Sequence, residues 1–468
     1  MARVKKKETL TPEERLQAAL VPESEQPYPV PRNWCWTQLG TYIDFATDYV
    51  ANGSFASLKQ NVAYYKEENY AILVKTQDFS NSFTEDITYT DKRGYDFLKK
   101  SVLYGGELIL SNIGSIGKVF RVPHLNKPMT LAPNSIMIKC YRETDYDLLY
   151  YYFLSPFGTE QLYSITTGTA VKKFNKTDLK TICLPLPPLS EQQRIVDRIE
   201  SLFAKLDEAK QKAQDALDSF ETRKAAILHK AFTGELTAQW RKEHGVGMES
   251  WEKANLGKYV DSQYGYTESA SQEQVGPKFL RITDIQDGVV NWANVPFCKI
   301  SDTDFERYAV SQNDIMIART GATTGKSYLI VDDVTAVFAS YLIRIKIKSP
   351  KLQPQYLYGF MQSQMYWGQI TEFSAGIAQP GVNAKKLKEI ILPIPSVPEQ
   401  VEIVRIIDAL LAKEQQAKEV AEGVLGQIDL IKKAILARAF RGELGTNDPG
   451  EESAVELVKR VIERGEQA

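Results

Sequence analysis

The sequence predicts a mixed α/β fold, in which two globular domains are separated by two long antiparallel coiled-coil helices in an internal pseudo-twofold repeat. Three observations predict it. The chain repeats a long segment at a fixed offset, each copy has the apolar spacing of a long helix, and the stretch before each copy alternates short apolar runs with polar turns. The chain's 468 residues exceed what one hydrophobic core usually holds, so several domains are expected.

The repeat is clearest in two pairs of segments. LPLPPLSEQQRIV at 184–196 returns as LPIPSVPEQVEIV at 392–404, and KAAILHKAFTGEL at 224–236 returns as KKAILARAFRGEL at 432–444, both at an offset of 208. Without a gap, 24 of the 53 positions from 184 to 236 are identical. Upstream, WCWTQLG is answered by WEKANLG. A period this long indicates a duplicated domain pair and not a solenoid of short repeats.

The repeated segments are predicted to be helices of about 40 residues, roughly 60 Å long. Their apolar residues alternate steps of three and four, which is the spacing of a coiled-coil seam, and only Arg223 and Glu414 interrupt it. Two nearly identical seams in one chain favour an antiparallel intramolecular pair, and a homodimer rod is the alternative. The seam and assembly residues are Ile195, Ile199, Leu202, Leu206, Phe220, Ile227, Ile403, Ile407, Leu410, Ile428 and Ile435.

The remaining segments complete the predicted domain plan. Each globular part is expected to contain short strands, namely Ala71–Val74, Leu108–Leu110 and Ser135–Ile138 in the first and Phe279–Ile282, Ile315–Ile317 and Tyr341–Ile347 in the second, with one helix near Leu148–Leu162. The predicted boundaries are 1–25 for an N-terminal helix and linker, 26–186 and 248–394 for the globular domains, 187–247 and 395–446 for the helical spacers, and 447–468 for a C-terminal helical tail.

The stretch ARTGATTGKS at 318–327 resembles a phosphate-binding loop and raises the hypothesis of an NTPase. That loop needs four residues between its first glycine and Gly-Lys-Ser/Thr, whereas only three separate Gly321 from Gly325. The counterpart in the first half, NIGSIGKV, has Val119 where a magnesium-binding hydroxyl is required. Both copies are better interpreted as a strand that ends in a glycine turn bearing one lysine.

Composition limits the remaining possibilities. A formal net charge of −2 requires any nucleic-acid surface to be a local patch. The four cysteines and three histidines show no metal-ligand spacing. With no apolar run of membrane-spanning length and no signal-peptide core, we expect a cytoplasmic protein that binds no membrane, no metal and no cofactor of its own.

Polar residues recur at matched loop positions of the two globular parts. Lys, Arg, Asn, Gln and Thr are the residue types that hold phosphates and read base edges. For each residue taken singly, a solvated surface position is the alternative, and the recurrence favours ligand contact. The candidate DNA-binding residues are Lys75, Thr76, Gln77, Ser111, Asn112, Ser115, Lys118, Lys172, Lys173 and Asn175 in the first half, with Arg281, Thr283, Arg319, Thr320, Thr323, Thr324, Lys326, Gln379 and Asn383 in the second.

These features together resemble the specificity subunit of type I restriction–modification enzymes over essentially the whole chain. The motifs that carry the resemblance are the two L-P-x-P segments with their long helices, A-F-x-G-E-L in both copies, W-x4-L-G before each globular part, and the glycine turn that ends in Gly-Lys. The resemblance implies that each globular part is a target-recognition domain for one half of a split, asymmetric sequence in double-stranded DNA, and that the helices set the spacing of the halves.

The resemblance also implies partners. A specificity subunit does no chemistry itself but docks two modification subunits, which methylate adenine with S-adenosylmethionine, and through them the ATP-dependent restriction subunits. S-adenosylmethionine, ATP and Mg²⁺ are therefore expected on the partner subunits. A coiled-coil structural adaptor without a nucleic-acid role, and an NTPase that uses the Gly321 loop, are the alternatives.

Overall fold

The computed structural model describes residues 11–141, 145–286, 288–374 and 381–464. The chain forms two compact units, which are described separately below. Unit 1 is Met1–Gln211 with Val424–Ala468, and unit 2 is Lys212–Gly423. Among the described residues, no helix is both long and apolar enough to cross a membrane.

The α-helices are numbered in chain order. They are α1 Pro12–Ala19, α2 Leu39–Tyr42, α3 Phe55–Asn61, α4 Lys92–Phe97, α5 Tyr146–Leu154, α6 Pro156–Ser164, α7 Lys176–Leu179, α8 Leu189–Asp218, α9 Phe220–Phe232, α10 Ala238–Glu243, α11 Asp302–Tyr308, α12 Pro354–Met361, α13 Gln364–Ser374, α14 Ala384–Glu389, α15 Val397–Ala439 and α16 Ala454–Arg464.

The strands are numbered in the same way. They are β1 Cys35–Gln38, β2 Ile43–Asp48, β3 Ala71–Val74, β4 Tyr89–Thr90, β5 Val102–Leu103, β6 Leu108–Ser111, β7 Val119–Arg121, β8 Met129–Leu131, β9 Ser135–Cys140, β10 Cys183–Leu186, β11 Glu252–Asn255, β12 Val260–Tyr264, β13 Lys278–Leu280, β14 Ile285–Gln286, β15 Val289–Val290, β16 Ile315–Ala318, β17 Ser327–Leu329, β18 Ala336–Phe338, β19 Leu342–Ile347 and β20 Ile391–Ile394. The six predicted strands agree with β3, β6, β9, β13, β16 and β19 to within two residues at either end.

Unit 1 is built on a four-stranded antiparallel sheet in the order β2-β9-β6-β7. Leu108, Leu110 and Ile138 of this sheet share one core with Leu149 of α5 and Leu162 of α6. A second sheet, in the order β4-β3-β8-β5, contains the parallel pair β3–β8. The predicted mixture of helices and strands is therefore observed.

Unit 2 repeats the principal sheet of unit 1. Its order is β12-β19-β16-β17, again with antiparallel neighbours, and the parallel pair β13–β18 forms a separate two-stranded sheet. Ile315, Ile317 and Ile343 of the sheet pack in one core with Leu357 of α12 and Tyr366 of α13. The same sheet order thus persists in the two halves even where their sequences match only weakly.

The repeated W-x4-L-G and L-P-x-P motifs form matching strand pairs. In unit 1, β1 pairs antiparallel with β10, and in unit 2, β11 pairs antiparallel with β20. In unit 2, the backbone N–H of Leu256, the leucine of W-x4-L-G, donates a hydrogen bond of 2.8 Å to the carbonyl oxygen of Ile390, just before β20. A Cβ atom at Gly257 would lie 2.8 Å from Lys388 Cβ, so this close approach requires glycine.

The long helices pack antiparallel within the chain, which confirms the predicted intramolecular pair. In unit 1, Asp207 of α8 binds Lys432 near the end of α15, with Oδ1 and Nζ 2.6 Å apart. In unit 2, Arg223 of α9 binds Glu414, which lies earlier in α15. A residue later in the first helical segment therefore pairs with a residue earlier in α15, as expected for antiparallel helices. All eleven predicted seam residues are buried or half-buried.

The first long helix differs from the prediction because it is divided at Ser219, whereas α15 is uninterrupted. The Ser219 hydroxyl bonds back to the carbonyl oxygens of Asp215 and Ala216, at 2.7 and 3.2 Å. The guanidinium of Arg223 also donates to the Ala216 carbonyl at 3.1 Å. Such side-chain bonds compete with the helical ladder and bend a helix locally.

The single helix predicted near Leu148–Leu162 is wrong in one respect, since the structure divides it into α5 and α6. Pro156 lacks the N–H needed inside a helix, and it occupies the first turn of α6 instead. Ser155 caps α6 by accepting the N–H of Gly158 at 3.0 Å. The two short helices cover the sheet of unit 1 at this point.

A buried glutamate near the start of each long helix joins the repeated motifs. In unit 1, Glu191 accepts hydrogen bonds from Trp34 Nε1, Thr446 Oγ1 and Asn447 Nδ2, at 2.7, 2.9 and 2.8 Å. The tryptophan begins W-x4-L-G, and the threonine follows A-F-x-G-E-L. One carboxylate therefore holds three segments that are distant in the sequence.

Unit 2 contains the equivalent arrangement around Glu399. This carboxylate accepts hydrogen bonds from Trp251 Nε1 at 3.0 Å and from Thr237 Oγ1 at 2.7 Å. Its third partner is the buried guanidinium of Arg241, also at 2.7 Å. These bonds explain physically why Trp and Glu recur in both copies.

Candidate nucleic-acid interface

In each principal sheet, a glycine turn connects a central strand to the edge strand beside it. In unit 1 the turn 112–118 joins antiparallel β6 and β7, and in unit 2 the turn 319–326 joins antiparallel β16 and β17. Gly114, Gly117, Gly321 and Gly325 all have positive φ, between 78° and 89°. A phosphate-binding loop leads from a strand into a helix. The hairpin geometry therefore does not support the NTPase hypothesis.

In unit 1, a second loop lies directly against this turn. The N–H of Gly114 donates to the Lys172 carbonyl at 3.1 Å, and the N–H of Phe174 donates to the Asn112 carbonyl at 3.1 Å. Ser115, Lys118, Lys172 and Lys173 are exposed on these two loops. The structure thus brings together candidate residues about 60 positions apart in the sequence.

A third element reaches the same place from the end of β2. Asp48 Oδ1 accepts a hydrogen bond from Lys176 Nζ at 2.9 Å, next to the second loop. Lys176 was missed by the sequence analysis, although it directly follows the candidate Asn175. The hairpin turn, the loop before α7 and the end of β2 together form what we call the turn cluster of unit 1.

Unit 2 has a turn cluster at the equivalent place. The N–H of Val382 donates to the Arg319 carbonyl at 2.9 Å, which joins the loop before α14 to the hairpin turn. Tyr264, at the end of β12, accepts the N–H of Ala384 at 3.1 Å, and its ring lies 4.9 Å from the Arg319 guanidinium. Only the structure reveals Tyr264 as a member. Gln379 lies outside the described residues.

The candidates that follow β3 and β13 are bound within their own loops. Arg281 makes two side-chain bonds to Asp284, at 3.0 and 2.7 Å, and its backbone N–H bonds to the same carboxylate. In the first half, Lys75 Nζ lies 3.5 Å from Oδ1 of Asp78, three residues later in the sequence, which is the same spacing as Arg281 and Asp284. Thr76 is half-buried, while Gln77 and Thr283 are exposed. These matched pairs stabilise the loop ends and partly neutralise both cations.

Burial and hydrogen bonding also shift the pKa values of Asp78 and Arg281 in these loops. Desolvation raises the pKa of Asp78, although the backbone and the ammonium group of Lys75 oppose that effect. The hydrogen bonds that Arg281 donates to Asp284 raise the pKa of Arg281. Each of the two basic side chains therefore has a carboxylate within its own loop.

Several other candidates have structural roles in their turns. Ser111 and Thr324 are buried, and Thr324 Oγ1 donates to the Gly321 carbonyl at 2.7 Å. Asn112 donates its side-chain amide to the Phe174 carbonyl at 3.1 Å, which fastens the two loops together. Asn175 and Asn383 cap α7 and α14 with their side-chain oxygens. Besides the helix caps, the exposed candidates are Gln77, Ser115, Lys118, Lys172, Lys173, Thr283 and Lys326.

Beside Lys326, unit 2 has a cleft of about 200 Å³. Thr320 and Thr323 are half-buried in the turn, and Thr323 lines the cleft together with Trp367 and Gln362. Gln362 Nε2 donates to Ser327 Oγ at 2.9 Å, which fixes the amide. The cleft presents an aromatic wall, hydroxyl and amide groups, and one exposed ammonium group, which are groups suited to base edges and phosphates.

Metal coordination does not contribute to the arrangement seen in the described part of the chain. There, no cluster of three or more His, Cys, Asp or Glu side chains has positions suited to an ion. The groups that the clusters present are cations, amides, hydroxyls and aromatic rings. They can bind a polyanion and discriminate among hydrogen-bonding patterns.

Comparisons with known proteins agree with this chemistry. A family model described as "Type I restriction modification DNA specificity domain" matches residues 50–217 and 248–422. The type I restriction enzyme EcoBI specificity subunit of Escherichia coli is 26% identical over 343 residues, which are 68% of this chain and 72% of that protein. The EcoKI specificity subunit of E. coli K12 is 24% identical over 430 residues, 86% of this chain and 90% of that protein.

A solved structure supports the fold. The crystal structure of the HsdS subunit from Thermoanaerobacter tengcongensis aligns with a TM-score of 0.62 at 20% sequence identity. The alignment covers 90% of this chain and all of that one. The same fold thus occurs in a protein that shares few identical residues with this chain.

Proposed function

The chain belongs to the family of type I restriction–modification DNA specificity proteins, and from this membership we propose that the turn cluster of each unit reads one half of a split, asymmetric DNA target. The membership confirms the predicted family. It also confirms a role in DNA target recognition within a type I restriction–modification complex, where methylation and cleavage belong to other subunits.

The observation that carries the proposal is the recurrence of the turn cluster. Both clusters lie at the same end of equivalent sheets and combine a glycine hairpin turn with the loop before α7 or α14. Lys118, Lys172 and Lys173 offer cations for phosphates in unit 1, and Lys326 does so in unit 2. Hydroxyls of Ser115 and Thr323 lie next to them, where base edges can be read.

Assembly is proposed on the same basis. Two modification subunits dock on the repeated helical parts and methylate adenine with S-adenosylmethionine, and restriction subunits join through them with ATP and Mg²⁺. The long helices set the gap between the two half-sites. Support comes from the family membership and from the identical residues that the two spacers retain at an offset of 208.

A genome-wide map of methylated adenines tests the proposal. The host is compared with the gene intact and deleted, in a strain that expresses the modification subunits. We expect methylation to disappear at one split motif and to return when the gene is restored. Unchanged methylation at every motif would contradict the proposal. Saturable ATP binding by the purified chain, lost in Lys326→Ala, would instead favour the NTPase.

A further inference from the structure

Next to the turn cluster of unit 1 lies a surface that the sequence analysis did not single out. A 3-10 turn at Tyr49–Asn52 follows β2 and leads into α3. Asn52 accepts the N–H of Lys100 at 2.9 Å and donates its amide to Ser101 at 2.9 Å. These bonds hold a second 3-10 turn, Lys99–Ser101, against the first.

The surface is continuous with the turn cluster. Asp48 Oδ1, which binds Lys176 at 2.9 Å, also accepts the N–H of Ala51 at 2.9 Å. Asp48 therefore fixes the start of the 3-10 turn to the loop that carries Lys172 and Lys173. A duplex bound by those lysines would therefore lie close to the Tyr49–Asn52 turn.

This surface carries more basic than acidic side chains. Residues 49–62 and 92–103 contain five basic residues and one acidic residue, whereas the whole chain has a net charge of −2. Lys59, Lys99 and Lys100 are exposed, and within the described residues they form no ion pair. The acidic residue, Asp96, is paired with Lys92 at 3.2 Å. Uncompensated cations of this kind attract a polyanion.

Phe55 follows the Tyr49–Asn52 turn that holds Lys100, and 81% of its surface is exposed. It opens α3, whose Ser54 cap accepts the N–H of Ser57, while the buried side chain of Leu58 anchors the helix in the core. Lys59 lies four residues after Phe55 and thus on the same helical face. The ring is therefore presented outward on an anchored helix.

We propose that Phe55, Lys59, Lys99 and Lys100, the α3 patch, form a second DNA contact of unit 1, with Phe55 as an apolar wedge against the bases. A single exposed phenylalanine is unremarkable. A phenylalanine on one helical face with a lysine, beside two further unpaired lysines, matches a ligand that combines phosphates with stacked apolar rings. Minor-groove proteins insert phenylalanine between base steps in this way.

This inference rests on the proposed function, because it requires the first half-site to lie on unit 1. The occupant is the duplex at or immediately beside that half-site. The lysines hold phosphates, which adds affinity without sequence preference, and the ring favours base steps that unstack easily. The α3 patch thereby extends recognition beyond the bases that the turn cluster can reach.

The test uses the complex purified through the full-length chain, bound to its target duplex at several salt concentrations. Phe55→Ala is expected to weaken binding about tenfold, the scale of one lost stacking contact, while Phe55→Trp retains it. Val331→Ala is the matched control, since Val331 is an exposed apolar residue, 58% accessible, that follows β17 in unit 2. It should leave binding unchanged.

The lysines are tested by charge. The double change Lys99→Gln and Lys100→Gln should lower the slope of log affinity against log salt by about 2, at roughly 0.9 per phosphate contact. Lys242→Gln with Lys253→Gln removes the same charge from exposed positions of unit 2 and should leave the slope unchanged. A slope equal to that of the unchanged complex would overturn the phosphate contact.

The wedge is tested with 2-aminopurine placed in turn at each adenine of the first half-site and its flanks. Binding of the unchanged complex should raise the fluorescence at one position, and Phe55→Ala should abolish that rise. Unchanged affinity in Phe55→Ala, or a rise that persists, overturns the wedge. If the unchanged complex does not prefer its target over an unrelated duplex, the proposed function itself fails, so the two failures are distinguishable.

Discussion

Arg223 Nε donates a hydrogen bond of 2.6 Å to Glu414 Oε2 in unit 2. These are the two residues that interrupt the apolar spacing of the long helices, and each is the partner of the other. At an offset of 208, their counterparts are Ile431 and Leu206. One half of the repeat therefore has an ion pair where the other half has apolar residues, so the two seams are not interchangeable.

We predict that the pair fixes helix register more than it adds stability. Replacing Arg223 alone with leucine leaves Glu414 half-buried without its partner and should cost about 1–2 kcal/mol. Replacing both with leucine should recover most of that loss, since apolar pairs often replace ion pairs without penalty. Denaturant unfolding of the four proteins in a double-mutant cycle measures the coupling.

A double variant whose loss of unfolding free energy equals the sum of the two single losses would contradict this prediction. A charge-swapped variant, Arg223→Glu with Glu414→Arg, provides the control, because it keeps the pair but moves the guanidinium away from Ser219. It should retain the register.

The buried glutamates predict unequal effects of the same substitution. Glu399→Gln leaves the buried Arg241 guanidinium without a carboxylate, which should cost about 3–5 kcal/mol. Glu191→Gln should cost less, about 1–3 kcal/mol, because its side-chain donors Trp34, Thr446 and Asn447 are neutral. Denaturant midpoints of the two variants compare them directly.

Equal losses, or a greater loss at Glu191, would refute the role assigned to Arg241. Glu399→Gln combined with Arg241→Met serves as the control. Removing the charge together with its partner should restore part of the stability, since no buried cation then remains unpaired.

The C-terminal segment should loosen in acid. Arg194 binds both oxygens of Glu451, at 2.8 and 2.7 Å, and this hydrogen bonding lowers the pKa of Glu451. The pair therefore stabilises the folded state above the unfolded pKa of glutamate, about 4.3, and the contribution disappears as pH falls through the lower folded-state pKa. Hydrogen exchange of α16 as a function of pH measures it.

Glu451→Gln should remove this acid dependence and lower the free energy of opening α16 at neutral pH by roughly 1 kcal/mol or less, because the pair is partly exposed. Persistence of the same acid transition in Glu451→Gln would assign it to another group.

A substitution in the turn cluster of one unit should affect base preference in only one half-site. Ser115→Ala in unit 1 and Thr323→Ala in unit 2 should each relax base preference in one half-site only, with losses of about 1–3 kcal/mol per base contact. Competition among duplexes varied at each half-site position measures the preference. Lys118→Gln is the matched control, since a lost phosphate contact should weaken all sequences alike and lower the salt slope by about 0.9. Altered preference in both halves from one substitution would contradict the assignment.

The sequence predicts the helical parts best, because the apolar spacing and the repeat constrain each other. It also locates strands such as β3 and β16, whose buried positions form short apolar runs. The bend at Ser219 depends on side-chain bonds to the backbone, which no periodicity reveals. The division between α5 and α6 was predictable from Pro156, since proline cannot continue a helix.

The candidate interface was predictable as loops but not as individual contacts. The hairpin turn and the loop before α7 recur in both halves, and the structure brings them together. Asn175 and Asn383 match in sequence because both cap helices, so their recurrence reflects folding as much as binding. Tyr264 and the α3 patch were missed because they depend on tertiary neighbours such as Arg319 and Lys100.

The most direct test exchanges residues 248–394 for the corresponding segment of another specificity subunit. This exchange keeps β11 and β20 together, since both strands of the pair lie inside it. Methylated adenines are then mapped across the genome. The account predicts that one half of the split motif changes while the other half stays the same. A motif that is unchanged, or one that changes in both halves, would contradict it.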